Sequence, residues 1–387
     1  MTIYIILFVL FIIVGATSDL IPSKHKKALN FLLSCIACST LFVICAFKGL
    51  NVGTDTAAYI KMYELFGNQS ILYSAKTGHE VLFVVCGKLF YSAGIPYIGF
   101  QIFCYILMIG PFFYLMGVKS QNCTLSIVYF CGLLLVFYLS GIRQSIALSL
   151  FALAYDLSFN SKLKRWVKWT LVIGLTLVAA LFHKTAIVGL VLFATRSLRF
   201  KKEYIFFLTP LLLLSFFSSG SIYQILYYTF NKTSYMPGTY GGGGMFFVYC
   251  ALFILYAFFS NNSALRSFLA NKTAKWDEGN FRFLGKFFAF QNDESPNNEI
   301  ISSGNWSLFF VAFFQSFCRV NLQFPRFGFY FIIAGILFWP EMLSTLKGRT
   351  FRSITCTLFV LALTAFFFIS YAIPGALNIT PYSFYFQ

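Results

Sequence analysis

The sequence predicts an all-α, polytopic integral membrane protein: a single transmembrane domain over residues 1–387, with about 12 transmembrane helices plus a short re-entrant helix. Three observations carry that reading. Hydrophobic residues make up 59% of the chain and charged residues 11%, and the mean hydropathy is +0.76, so too little polar material remains to coat a soluble globule of this size. Apolar runs near the roughly 20 residues that span hydrocarbon recur along the chain, without the alternation of a barrel strand. The basic residues fall in small packets between those runs. The net charge of +17 is therefore a set of topology signals, and no nucleic-acid partner is expected.

Residues 2–18 resemble the core of a signal peptide, but no positive charge precedes them, so they read as the first crossing. The second, 29–47, follows Lys24, Lys26 and Lys27. Residues 48–80 form an outer loop that carries Gly53-Thr54-Asp55 and His79-Glu80. The apolar stretch Val81 to Ala93 reads as re-entrant or interfacial, because a full crossing there would put the two densest basic packets outside. Helices then follow at 97–117, 123–140, 142–159, 168–182, 184–196, 203–219, 245–260, 305–320, 327–343 and 353–373. The packets Lys162/Lys164/Arg165/Lys168, Arg196/Arg199/Lys201/Lys202 and Lys347/Arg349/Arg352 lie inside, as does a hydrophilic cytoplasmic loop over 261–304. Both ends then fall outside. The ten cysteines sit almost entirely in apolar runs and read as small hydrophobes.

This topology gathers the unusual polar residues on the outer side. Arg143 interrupts an apolar stretch from Leu125 to Leu157, where a charge costs roughly 2.5–3.5 kcal/mol and is kept to face a cavity and bind an anion. With Gln144 it suits a pyrophosphate, the guanidinium fork supplying paired donors. A snorkelling arginine at a helix end is the alternative. His183 closes one apolar run and opens the next. It is suited to proton transfer near neutrality or, equally, to bonding a helix carbonyl; Lys184 beside it serves as a phosphate contact or a headgroup anchor. Asp55 is either a helix cap or a group that grips sugar hydroxyls or acts as base, with Tyr59 one turn on. His79 and Glu80 carry the same ambiguity. Arg326 and Arg319 are candidates for the second half of an anion clamp, or for headgroup contact or pairing with Asp55 or Glu80. The Gly241–Gly244 run reads as part of an outer lid. Asp156, Glu203 and Glu341 read as local partners of inner basic packets.

The ordered set of Gly-Thr-Asp with Tyr59, His79-Glu80, Gly141-Ile142-Arg143-Gln144, Phe182-His183-Lys184-Thr185-Ala186 and Arg326 to Tyr330 resembles the EpsG family of Wzy-like polysaccharide polymerases. That resemblance implies a bacterial inner-membrane enzyme whose site faces the periplasm and which joins oligosaccharide repeat units carried on undecaprenyl pyrophosphate. Donor and acceptor would both be lipid-linked glycans, with membrane lipids around them and a chain-length regulator as a further partner. Arg143 and Arg326, with Gln144, Arg319 and Lys184, would hold the pyrophosphate. His183, or Asp55, would position or deprotonate the acceptor hydroxyl, and Tyr59, His79 and Glu80 would contact glycan. An anomeric pyrophosphate is already a good leaving group, so no cofactor or metal is expected. A lipid-linked-oligosaccharide flippase and a glycan ligase are the competing readings. A flippase would place ionisable groups near the midplane, in two similar halves.

Overall fold

The structure, a computed structural model, describes residues 1–18, 26–196, 198–230, 243–261, 297–321, 324–346 and 349–386, and among these there is no strand, only one isolated antiparallel bridge between Lys48 and Phe384. The helices are α1 (Thr2–Ser18), α2 (Lys26–Ala46), α3 (Thr56–Asn68), α4 (Ile71–Lys76), α5 (Val81–Ser92), α6 (Tyr97–Tyr114), α7 (Cys123–Leu133), α8 (Leu135–Ser140) and α9 (Ile142–Ser158). After them come α10 (Arg165–Phe182), α11 (Leu190–Arg196), α12 (Tyr204–Phe217), α13 (Ser219–Phe230), α14 (Gly243–Asn261), α15 (Asn298–Gln315), α16 (Phe324–Ile332), α17 (Gly335–Ser344) and α18 (Arg349–Phe367). The all-α membrane class is as expected. By length and apolarity four helical spans among the described residues qualify as crossings, Tyr97–Lys119, Arg165–Phe182, Gly244–Asn261 and Phe351–Ala372, or six when two bent pairs each count as one. Exposed Leu, Ile and Phe side chains on α10, α12 and α18, such as Leu177, Phe206, Phe207 and Leu358, supply the surface that hydrocarbon would cover.

Several boundaries differ from the sequence reading, each for a local reason. The stretch 123–140 breaks at Leu134, whose φ of −117° ends α7. The stretch 327–343 is two helices bent by 47°, and 203–219 ends at Ser218, where the chain turns by 69° into α13. Residues 184–196 begin as a 3-10 turn, Lys184–Gly189. Helix α15 starts seven residues before position 305, because the Asn297 side chain accepts from the amides of Glu299 and Ile300. The hydrophilic stretch 261–304 thus ends in helix, and its part from 262 to 296 lies outside the described residues. Gly243 and Gly244 belong to α14, while the rest of the expected lid, Gly241 and Gly242, also lies outside them. The short helix expected near Val81 is present as α5, whose 12 residues rise about 18 Å against a hydrocarbon core of about 30 Å.

Helix α9 is the centre of the bundle. It packs on α6 and α10 and is buried along most of its length, including Gln144, Ser145 and Ser149. Ser149 and Tyr105 find partners, the Ser149 hydroxyl donating to Met108 O at 2.8 Å and the Tyr105 hydroxyl to Tyr138 O at 3.0 Å, while the Ser145 hydroxyl is buried without one. At the other end of α9, Asp156 pairs with Lys119 at 3.3 Å, and Arg196 pairs with Glu299. The Glu341 carboxylate accepts from the Asn297 amide.

Residues 48–80, expected as an outer loop, contain α3 and α4. Residues 47–54 are strapped by a hook formed by 376–385: Gly49 N donates to Ser383 O at 2.7 Å, Gly53 N to Asn378 O and Thr54 N to Leu377 O at 3.1 Å each, and Tyr385 N to Phe47 O at 2.8 Å. The hook is fastened to the bundle where the Tyr382 hydroxyl meets Ile44 O at 2.5 Å and the Tyr4 hydroxyl meets Ile379 O at 3.0 Å.

Candidate functional site

Arg143 stands in the first turn of α9, immediately after the break at Gly141. A Cβ on Gly141 would lie 2.8 Å from the Phe137 ring, so a residue without one lets α8 approach α9 this closely. Gly141 offers no side chain to cap α9. Its place is taken from outside the helix, by the Tyr59 hydroxyl, which accepts from the Arg143 amide at 3.4 Å. Tyr59 is buried with its ring edge-on to Phe83, and through its hydroxyl it supports Arg143.

The Arg143 guanidinium meets Glu80: Nη1 donates to Oε2 at 2.5 Å, with side-chain exposures of 22% and 10%. Arg143 Nε and Gln144 Oε1 are buried without a hydrogen-bond partner. Gln144 uses its amide nitrogen to reach Arg326 O at 2.9 Å, which ties α9 to the start of α16. Arg326 itself is exposed there.

His183 follows the last turn of α10. Thr185 donates to its Nδ1 through the backbone amide at 3.4 Å, and the Thr185 hydroxyl lies 2.9 Å from the same nitrogen and 3.1 Å from the Tyr330 hydroxyl. An amide N–H can only donate, so Nδ1 is the acceptor and Nε2 carries the proton of the neutral ring. Burial pushes the His183 pKa down to about 4; Glu80 pulls it back up, and Arg143, Arg326 and Lys184 push it further down. Glu80, Arg143, Lys184 and Arg326 are thus all within electrostatic reach of one imidazole. His79 lies at the same place, its ring edge-on to Phe66 at 5.4 Å, and its pKa is lowered by burial and then by Arg143 while Glu80 raises it.

Asp55 sits beside this group but is turned toward its own loop, accepting from the Thr54 hydroxyl at 3.3 Å; it precedes α3 without a side-chain cap bond. Arg319 is placed elsewhere: its guanidinium lies over the Phe216 ring of α12, 5.2 Å from the centroid. A cation–π contact holds it there.

Lys48 escaped the sequence reading, since a lone lysine after an apolar run looks like a rim anchor. It is fully buried. Its Nζ donates to Val52 O at 2.7 Å, Thr56 Oγ1 at 2.5 Å and Leu139 O at 2.6 Å, which pins the Gly53-Thr54-Asp55 loop to the end of α8. The Thr54 and Ser140 hydroxyls add a bond at 2.7 Å. Burial pulls the Lys48 pKa down to about 7. The hydrogen-bond geometry decides for the ammonium, because a neutral amine would turn its lone pair onto one of three oxygens.

Fold and cluster together define a helical membrane protein that gathers two arginines, a carboxylate and a neutral imidazole at one end of its bundle. The chain belongs to the EpsG family, whose family model matches residues 31–384. That family consists of Wzy-like polysaccharide polymerases, so a general role in polysaccharide polymerisation follows. No curated protein and no solved structure matches the chain.

Proposed function

We propose that this protein joins oligosaccharide repeat units carried on undecaprenyl pyrophosphate, at the periplasmic face of the bacterial inner membrane, with the lipid pyrophosphate as leaving group. The observation that carries the reading is the Arg143 guanidinium: it stands at the first turn of a central helix, keeps Nε buried and unpaired, and shares its surroundings with Arg326 and His183. An anion binds such a position through the guanidinium and through the amide end of the helix. Arg143 and Arg326 neutralise the charge that grows on the diphosphate as the anomeric bond breaks. Gln144 and Lys184 flank them. His183, neutral and protonated on Nε2, donates a hydrogen bond to the diphosphate or to a sugar oxygen, and Thr185 and Tyr330 hold its ring in that orientation. Asp55 and His79 line the glycan side.

The test is complementation of a strain lacking this gene with Arg143→Ala, followed by gel analysis of lipid-linked glycans. Loss of long chains with single repeat units accumulating on the periplasmic leaflet supports the reading. Units trapped on the cytoplasmic leaflet would assign transport instead, and normal long chains from Arg143→Ala would end the diphosphate role.

A further inference from the structure

We propose that Glu80 is the group that takes the acceptor's proton, held against Arg143 in the state seen here and released from it when the substrate diphosphate takes its place. The inference rests on the polymerase reading above and names the base for that reaction.

Comparison with the arginines, Lys48, His183 and Asp55 leads to it. Arginines only donate, and Lys48 is buried with all three protons engaged. His183 presents a protonated Nε2, since Nδ1 already accepts from Thr185. Asp55 faces its own neighbour Thr54. The carboxylate whose charge reaches His183 is that of Glu80.

The placement of Glu80 has no other local purpose. It occupies the cap position of α5, where short Asp, Asn, Ser or Thr side chains ordinarily bond the free amides, and its longer side chain makes no cap bond. Only its backbone serves that helix, with Glu80 O accepting from Val84 N at 3.1 Å. The side chain crosses to Arg143 and is buried there to 10% exposure. The guanidinium is engaged through Nη1, while Nε has no partner. A diphosphate carries more charge than a carboxylate and can bind such a fork through two oxygens, so it displaces Glu80. The displaced carboxylate then lies beside an anion. With no cation bonded to it, its oxygens are open to a hydroxyl proton, which is what a base in this step requires.

The step balances. The acceptor hydroxyl oxygen bonds to the donor's anomeric carbon, the bond from that carbon to the diphosphate oxygen breaks, and its electron pair leaves with the lipid diphosphate. The hydroxyl proton passes to Glu80 and then to solvent. The charged and titratable groups that share an interaction with Glu80 are Arg143 on α9, His183 after α10, Tyr330 on α16 and the adjacent His79; Tyr59 on α3 acts on the same Arg143 side chain, and Arg326 and Lys184 act on the same imidazole.

The experiment uses the full chain in liposomes with lipid-linked repeat units, and undecaprenyl pyrophosphate as the binding probe. Glu80→Gln keeps the size and a hydrogen-bonding oxygen. It should bind the probe at least as tightly as wild type, polymerise about 100-fold more slowly, and lose the acidic limb of the pH–rate profile. Glu80→Asp should retain part of the rate. Chains made by Glu80→Gln within about threefold of the wild-type rate with the same acidic limb would overturn the assignment, as would a slow variant that has also lost probe binding, which marks a structural role. The parent reading fails separately, if wild type itself does not bind the probe.

Discussion

Substituting Arg143 and Glu80 singly and together should show that they are coupled by about 2 kcal/mol in stability. The figure follows from the contact. Two unit charges about 4 Å apart attract by about 4 kcal/mol in an effective dielectric near 20. Side-chain exposures of 22% and 10% let water screen roughly half of that. Arg143→Gln leaves a nearly buried carboxylate without its cation and should cost about 3 kcal/mol, near the low end for a broken buried pair. Glu80→Gln leaves a cation that is more exposed and should cost less. In the double variant no charge is stranded, so stability should recover toward wild type while polymerisation stays lost. Reversible unfolding of the purified protein in detergent, read by tryptophan fluorescence, gives the cycle. A coupling below about 0.5 kcal/mol would refute the reasoning, because the pair would then behave as an ordinary surface contact.

Gly53 has φ +88°, and a Cβ there would lie 2.3 Å from Leu139 O, so Gly53→Ala should lower both thermal stability and chain formation in a detergent melt and a glycan gel. Lys48→Met removes the side-chain donor from Leu139 O, a local cost of about 1–3 kcal/mol. It should loosen residues 52–56, read as faster amide hydrogen exchange there. The folded-state pKa of His183, about 4, lies below the ordinary 6.5, so the unfolded chain binds that proton more tightly. The His183 contribution is therefore intact above pH 6.5 and lost as pH falls toward 4. A melt series should show His183→Asn flattening that limb, and unchanged pH dependence in the variant would refute it.

The membrane class was legible because composition is a sum over the whole chain and no local error changes it. The site was partly legible. Arg143, His183, Glu80 and Arg326 stood out as polar residues in apolar surroundings, and their convergence follows from helices of opposite direction ending at one level. Their pairing was not legible: Glu80 and Arg143 are 63 positions apart and meet only through packing. Nor was the proton position on His183, which depends on an amide two residues on. The breaks at Leu134 and Ile333-Ala334 have apolar sequence on both sides, so hydropathy sees one run where the backbone turns. Helix α13 was missed for a related reason, as its mixture of Tyr, Ser and Gln dilutes the apolar signal.

The hook has a consequence for biosynthesis. Tyr382 grips Ile44 across 338 positions, and Ile379 holds Tyr4 across 375. At about 5–20 residues per second, a ribosome needs roughly 15–70 s to reach Tyr382 after Ile44 has been made. For that interval residues 47–54 lack the strap that fixes them, so a half-translated chain in the membrane holds this end of the bundle open.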